Sequence, residues 1–236
     1  DGALMFTITI TTHDQPEVLA RCIPSLLLTN PKPRKFLVVD DHSTNHEAIS
    51  WLHSLVGDEG RIVHFGGHAH IAAMCNLMWH ECFSDPVDFG IWVHPDMAFP
   101  DPAWAQKLVD YARTHPDLGK VSAENTLAAD STEPIDGRDR PGHQGPYLIT
   151  RRAYEAVTAS DGSFMDEAFI SLGGWDDWDL NQRLLRLGFG VTICGAARVF
   201  HEGAGARGPL QSSTEQQCRQ NQILYFQKWG TWDPPV

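Results

Sequence analysis

The chain is short of positive charge: 18 Lys and Arg stand against 30 Asp and Glu in 236 residues, a formal charge of -12. Phosphate backbones are held by clustered cations, so this balance argues against nucleic acid as the main partner. A small phosphate ligand stays compatible, because a bound metal ion reverses the local sign of a carboxylate site. No apolar run reaches the roughly 18–20 residues of a membrane helix. A basic region followed by a hydrophobic stretch is missing at the N-terminus, so no signal peptide is expected. Asp1–Leu4 before Met5 reads as an expression scar or as a cut inside a longer chain, and excision from a larger, multidomain or membrane-associated protein stays open. The five cysteines are odd in number and form no CxxC pair; Cys22, Cys75 and Cys194 have apolar neighbours. Reduced, buried thiols in a cytoplasmic protein are expected, with no disulfide framework.

Three nucleotide and nucleophile signatures are also missing. No GxGxxG follows the first apolar run, which argues against a dinucleotide site, and no GxxxxGK[ST] exists to form a P-loop. The G-x-S-x-G elbow of α/β-hydrolases is absent too. What the chain does have is 42% apolar residues, enough for a full core, and a length that suits one domain.

Short apolar runs alternate with amphipathic segments over the first ~110 residues, the pattern of β-α units forming a largely parallel sheet covered by helices. Met5 to Thr11, Phe36 to Asp40, Arg61 to Phe65 and Phe89 to Val93 read as strands. Asp14, Pro16 and Glu17 open a helix as cap, first-turn proline and N3 acid. Further helices are expected from Asn45 to Val56, from about Ala69 to Cys82, and from Pro102 with Asp101 as cap. The second half is less regular. A long loop is expected over residues 124–146, then a strand at Tyr147 to Ile149 and helices at Arg151 to Val157 and Asp176 to Leu187. Two strands, Val191 to Cys194 and Arg198 to His201, precede a polar stretch from Glu202 to Ser213 and a final helix. The fold class is α/β.

Ligands of open α/β sheets bind at the carboxyl ends of the strands. Those ends carry Thr11, Thr12, His13 and Asp14; Asp40, Asp41, His42 and Ser43; His94 and Asp96; and His201. Asp14 and Ser43 suit helix caps equally well. Asp40 and Asp41, adjacent and directly after a buried run, suit a cap or turn less, because neighbouring carboxylates raise each other's pKa unless a cation or donor-rich ligand intervenes. Acidic strand ends without a glycine-rich cradle suggest a nucleotide whose diphosphate is held through a divalent cation. His64, His68 and His70 make a cluster that no acid or cysteine joins at ligand spacing, and are read as ordinary polar residues.

Seven segments, in order, resemble the inverting glycosyltransferases of family 2, its bacterial rhamnosyltransferase-like members included. Val38–Ser43 (VVDDHS) is similar to the family's VVDDxS, and Gly67–Asn76 to its G-x-A-x-A-x-N. Val93–Asp96 sits where the family has its DxD, and Phe164–Phe169 resembles F-D-E-x-F. Gly174–Leu180 (GWDDWDL) resembles G-x-E-D-x-D-L, with Arg183 one turn on. Val199–His201 is similar to a late strand ending in histidine, and Tyr225–Gly230 to a terminal Y-F-x-K-W-G.

The resemblance implies a single GT-A domain over 1–236, with a mostly parallel Rossmann-like sheet and a small second sheet on the acceptor side. Residues from about 5 to 115 would form the nucleotide half and 116–236 the acceptor and metal half. It implies Asp40 on the imide N–H of a uracil or thymine and Asp41 on the ribose, in a nucleotide site shared with Thr11, Asp14 and Asn76. UDP- or dTDP-linked sugars are therefore the favoured donors. Asp96 and His201 would ligate the cation, a carboxylate–imidazole pair that favours Mn²⁺ over Mg²⁺. Asp177 would be the catalytic base toward a glycan, lipid-linked glycan or other hydroxyl acceptor; His94, Trp175 and Asp176 would contact donor or acceptor. Arg138, Arg140 and His143 would close over the diphosphate or stand as solvated charges, and Lys228–Trp229 would pack. Cytosolic access to nucleotide sugars fits the thiols and the missing signal, so a cytoplasmic location is expected, with a peripheral place at the inner membrane face left open. His94 in place of Asp and Asp176 in place of Glu keep a second reading open, a catalytically silent binding or assembly domain. A sugar nucleotidyltransferase would want a Gly-rich basic loop after the first strand, and TTHDQPE is not one.

Overall fold

A computed structural model describes residues 5–58, 60–65, 71–125, 137–138, 145–169, 174–201 and 211–231. The elements run β1 (Phe6–Thr12), α1 (Pro16–Leu26), β2 (Lys35–Asp40), α2 (His46–Val56), β3 (Arg61–His64), α3 (Ile71–Ser84), β4 (Phe89–Val93), β5 (Met97–Ala98) and α4 (Trp104–Thr114). They continue with β6 (Leu118–Asn125), β7 (Gly137–Arg138), β8 (Tyr147–Thr150), α5 (Arg151–Asp161), α6 (Asp176–Arg186), β9 (Gly190–His201) and α7 (Gln211–Trp229). The sheet order is β3-β2-β1-β4-β8-β6-β9-β5, with β7 also on β9. The first four neighbours are parallel. β8 is inserted antiparallel to both β4 and β6, which turns β6 and β9 back to the direction of β1.

The apolar runs of β1, β2 and β4 are buried on both faces, because helices cover both. Phe6, Ile8, Ile10, Phe36, Val38, Ile91 and Val93 enter one core with α1, α2 and α4. Leu37, Val39 and Trp92 enter the other, built on Trp79 of α3 with Tyr147, Phe164 and Leu180. Gly90 is required where α3 crosses β4: a Cβ there would lie 2.6 Å from Trp79 Cζ3 and 2.7 Å from Cys82 Sγ.

Several boundaries move. Asp14 does not cap α1, whose N-cap is Gln15 with no side-chain cap bond. The α4 helix starts at Trp104 rather than Pro102, since Asp101 first accepts from Ala103 N in a turn. The α5 helix runs on to Asp161. The two late strands are one, β9, which continues through Gly195–Ala197 by a register shift against β6. β6 itself takes in the first two residues of the expected 124–146 loop, and β7 a further two; 126–136 and 139–144 lie outside the described residues, as do His68, His70 and 202–210. In place of a small second sheet, the two-residue β5 pairs antiparallel with β9 at the end of the same sheet. All five cysteines are free thiols, four of them buried. Among the described residues no helix is long and apolar enough to cross a membrane.

Candidate active site

The sheet reverses its winding between β1 and β4, so their carboxyl ends flank the crevice where open α/β sheets take ligands. β9 runs in the same direction and ends at His201 on that edge. The α6 helix precedes β9 and runs back against it, so its N-terminus starts at the same edge. Topology alone therefore gathers Thr11–Asp14, Asp40–Ser43, His94–Asp96, His201 and Asp176–Asp177.

The β1 and β2 ends are tied to each other. Thr12 is in register with Asp40, and Asp40 with His64. Asp40 has no exposed side-chain surface; Oδ2 accepts from Ser43 N and His64 Nδ1, both at 3.1 Å, and Oδ1 accepts from Ser43 Oγ. Asp14 accepts from the backbone N–H groups of Thr44 and Asn45, each at 2.7 Å, and from Thr44 Oγ1 at 3.0 Å. The Asn45 N–H, with these others, holds its carboxyl below the usual range. Asp14 N in turn donates to Ser43 Oγ. Both residues thus brace the two loops. Thr11 Oγ1 accepts from Trp92 Nε1 at 3.2 Å, and Asp41, 6% exposed, accepts through its backbone oxygen from His13 Nδ1. Asn76 turns away from this group: Nδ2 donates to Met165 O and Glu167 Oε1 and Oδ1 accepts from Met165 N, fastening α3 to the 165–167 segment.

At the β4 end the HPD turn meets β9. Met97 pairs with His201, which sets Asp96 Oδ1 3.0 Å from His201 Nε2. His94 lies between Trp92 and His201, with ring centroids 4.2 and 5.4 Å away. Burial, then the neighbouring His201, pushes the His94 imidazole down to about 4, so it is neutral at pH 7. Burial works to raise Asp96, but the His201 hydrogen bond and the two imidazoles outweigh it and keep the carboxyl below its usual range. Asp96 is therefore an anion, 9% exposed.

The acid pair follows a strained turn. Trp175 has φ of +73°, and among the described residues Asp14 (+38°) and His42 (+57°) are the other non-glycine residues at positive φ. All three belong to site loops, where such strain concentrates. Asp176, Asp177 and Asp179 fill the first turn of α6, favoured by its dipole. Burial, reinforced by the Asp177 charge, pushes Asp176 up to about 7, against the opening N–H groups of α6 and Lys120. A carboxyl raised to near neutrality beside a second carboxyl is suited to acid–base work. The Trp175 and Trp178 rings pack edge to face, 4.4 Å apart.

Of the residues that support this turn, the sequence did not single out Lys120 and gave Lys228 and Trp229 no role beyond packing. Lys120 is 2% exposed, donates to Asn181 Oδ1 at 3.0 Å and sits 4.5 Å over the Tyr147 ring. Lys228 joins Asp166 at 2.6 Å to Asp179 at 2.7 Å, and Trp229 Nε1 donates to Asp179 Oδ1. Their partners are far away in the chain, and only the F-D-E-x-F and K-W-G segments hinted at them.

This sheet order and edge define the GT-A fold of nucleotide-sugar glycosyltransferases. By sequence alone the chain matches no family profile and no curated protein. By structure it is similar to a mannosyltransferase from Pyrobaculum calidifontis, solved with GDP-Man and Mn²⁺: TM-score 0.69, 16% identity, covering 98% of this chain and 65% of that one. GalNAc-T7, solved with UDP, GalNAc and Mn²⁺, superposes at TM-score 0.67 and 11% identity, over 85% of this chain and 44% of that one. TarS from S. aureus, solved with UDP-GlcNAc, superposes at 0.64 and 10% identity, over 93% and 66%. The chain thus spans roughly half to two thirds of these neighbours.

Proposed function

We propose that the chain is a metal-dependent inverting glycosyltransferase of family 2, moving a hexosyl or deoxyhexosyl group from a nucleoside-diphosphate sugar to a glycan or glycoconjugate hydroxyl. The observation that carries the reading is the Asp96–His201 pair, 3.0 Å apart, on the same sheet edge as the Asp176–Asp177 turn. Its donor set fits a divalent cation. Two donors about 2.1 Å from one ion and at right angles stand about 3.0 Å from each other. A carboxylate with a neutral imidazole suits Mn²⁺ better than Mg²⁺. Asp96 and His201 would hold the ion, and among the described residues no third His, Cys, Asp or Glu joins them, so the donor diphosphate and water would complete the shell. When bound, the ion would offset the charge that develops on the leaving diphosphate.

The protein's own part is proton transfer and alignment. Asp177 would take the proton of the acceptor hydroxyl as that oxygen attacks the anomeric carbon. Asp176, beside it and held near neutrality, limits the charge of the pair. Trp175 offers an aromatic face to sugar C–H groups. One displacement inverts the anomeric centre, and no enzyme nucleophile is required. Asp41 and Thr11 would line the nucleotide pocket that Asp14 and Asp40 brace, and Asn76 would contribute by fixing the 165–167 segment. Free thiols and cytosolic nucleotide sugars support a cytoplasmic site of action, on polysaccharide or lipid-linked acceptors.

The test is thermal stabilisation by UDP, dTDP, GDP and CDP with manganese, followed by donor hydrolysis. A diphosphate at 100 times its Kd adds about 2.7 kcal/mol, or several degrees for a domain of this size. Stabilisation by one base and release of its sugar support the reading and name the donor. Stabilisation without hydrolysis favours a silent domain, and no stabilisation by any diphosphate overturns the donor site.

A further inference from the structure

The turn that presents Asp176 and Asp177 is held from one side by a single stripe of α7. Gly174 and Trp175 are consecutive left-handed residues, at φ +66° and +73°. A tryptophan adopts that conformation only where its surroundings impose it. Asn221, 1% exposed, donates from Nδ2 to Gly174 O at 2.9 Å, and that carbonyl belongs to the peptide joining the two strained residues. One turn along, Tyr225 packs against Trp175, with ring centroids 5.2 Å apart. A further turn along, Lys228 and Trp229 hold Asp179, whose N–H donates back to Trp175 O at 2.9 Å. The contacts recur at the i, i+4, i+7 and i+8 spacing of one helix face, so they act as a unit.

We infer that α7 is a clamp that sets the aim of the Asp176–Asp177 pair, with Asn221 the positioning residue at its centre. The inference rests on the proposed role of Asp177 in transfer, but its structural half stands apart from that. With the Gly174 carbonyl released, residues 174 and 175 are free to relax to negative φ. That rotation swings the acid pair and frays the first turn of α6, while the β1–β4 half keeps its own packing.

Two variants, Asn221→Ala and Asn221→Gln, test this, read first by hydrogen–deuterium exchange, which needs no substrate. In the Ala variant the amides of 179–182 should exchange about tenfold faster, with β1 and β4 unchanged. In the Gln variant, which keeps an amide donor, part of the protection should return. The second reading is manganese-dependent hydrolysis of UDP-GlcNAc and GDP-mannose. In the Ala variant kcat should fall about tenfold or more, while the donor KM and stabilisation by the matching diphosphate stay within about twofold. Exchange at the wild-type level across 179–182 overturns the clamp, as does a rise spread evenly into β1 and β4. Unchanged kcat alongside faster local exchange overturns the catalytic half. A wild-type protein inert to both donors, with the exchange response intact, leaves the clamp standing and excludes these two donors; the glycosyltransferase reading itself falls when no UDP, dTDP, GDP or CDP stabilises the wild type.

Discussion

Replacing Arg183 by alanine should destabilise the domain by about 3–4 kcal/mol, and less in acid. Arg183 is 1% exposed and each of its three guanidinium nitrogens donates a hydrogen bond. Nε donates to Asp161 Oδ2 at 2.6 Å, Nη1 to Phe164 O at 2.6 Å and Nη2 to Ser163 O, so one side chain of α6 closes the turn that follows α5. Removing one partner of a buried ion pair costs about 3–5 kcal/mol. Here the loss falls at the low end, because Asp161 keeps a second partner in Arg186 at 2.6 Å and its side chain is 20% exposed. The carbonyls that lose their donor add about 1 kcal/mol. At about 2–4 °C per kcal/mol for this size, the midpoint should drop by about 6–16 °C. Acid dependence separates the charge from the packing. Burial works to raise Asp161, but the Arg183 bond and its neighbours bring the carboxyl down to about 2, from an ordinary 3.8. A pKa lowered in the folded state adds stability above the unfolded value and loses it as pH falls through the folded one, here between about pH 4 and 2. Thermal and urea unfolding followed by tryptophan fluorescence at pH 7 and pH 3 read both effects. The gap between wild type and Arg183→Ala should narrow at pH 3, and Arg183→Lys should recover no more than about half of it at pH 7. A midpoint within about 2 °C of wild type, or an equal gap at both pH values, would refute the account.

Asp177→Asn should abolish sugar transfer while nucleotide affinity stays within about threefold; loss of nucleotide binding in a folded variant would move Asp177 into the donor site. Gly90→Ala should cost about 1–3 kcal/mol in urea unfolding, since the new methyl would sit 2.6 Å from Trp79 Cζ3. A neutral result there would mean that α3 slides freely over β4. Burial pushes Cys22 and Cys82 up to about 12 and Cys75 well above its usual value, and Cys194 is buried, so Ellman's reagent should titrate the exposed Cys218 alone in the native protein and all five thiols in urea.

Strands buried on both faces announce themselves as β-branched runs, so β1, β2 and β4 were legible to within a residue or so. β6 was not. Lys120, Ser122 and Glu124 alternate with Val121 and Ala123, and only the fold reveals that Lys120 and Ser122 are buried polar residues, Lys120 against Asn181 and Tyr147. The β9 strand looked like two because Gly195–Ala197 breaks the apolar pattern, whereas the ladder absorbs the break as a register shift. Asp14 has every local mark of a cap, yet the N–H groups of Thr44 and Asn45, 30 residues away, offer it better partners. The same holds for Asn76 and Lys228, whose partners lie 89 and 62 residues off in the chain. Local chemistry identified the polar strand ends; which side chains brace those ends and which are left facing the crevice is a tertiary fact.

The cations of the chain bear on how it could bind a diphosphate at all. Lys35, Arg61, Lys107, Arg183 and Lys228 are in ion pairs with the protein's own acids, and Arg151 is spent on the Phe83, Asp85 and Val87 carbonyls. At the site edge the described carboxylates include Asp14, Asp40, Asp41, Asp96 and Asp177, with Asp176 raised to about 7 beside them. Bringing a diphosphate anion to such an edge is repulsive at short range, where each like-charge contact at about 4 Å costs about 1–4 kcal/mol. A divalent ion held by Asp96 and His201, as proposed, would reverse that sign. Chelation should therefore eliminate nucleotide binding rather than weaken it, and Asp96→Ala should do so even with manganese present, both read by isothermal titration with the diphosphate that stabilises the wild type. Affinity that survives chelator would shift the phosphate contacts to Arg138, Arg140 and His143, and with them the electrostatic logic of the site.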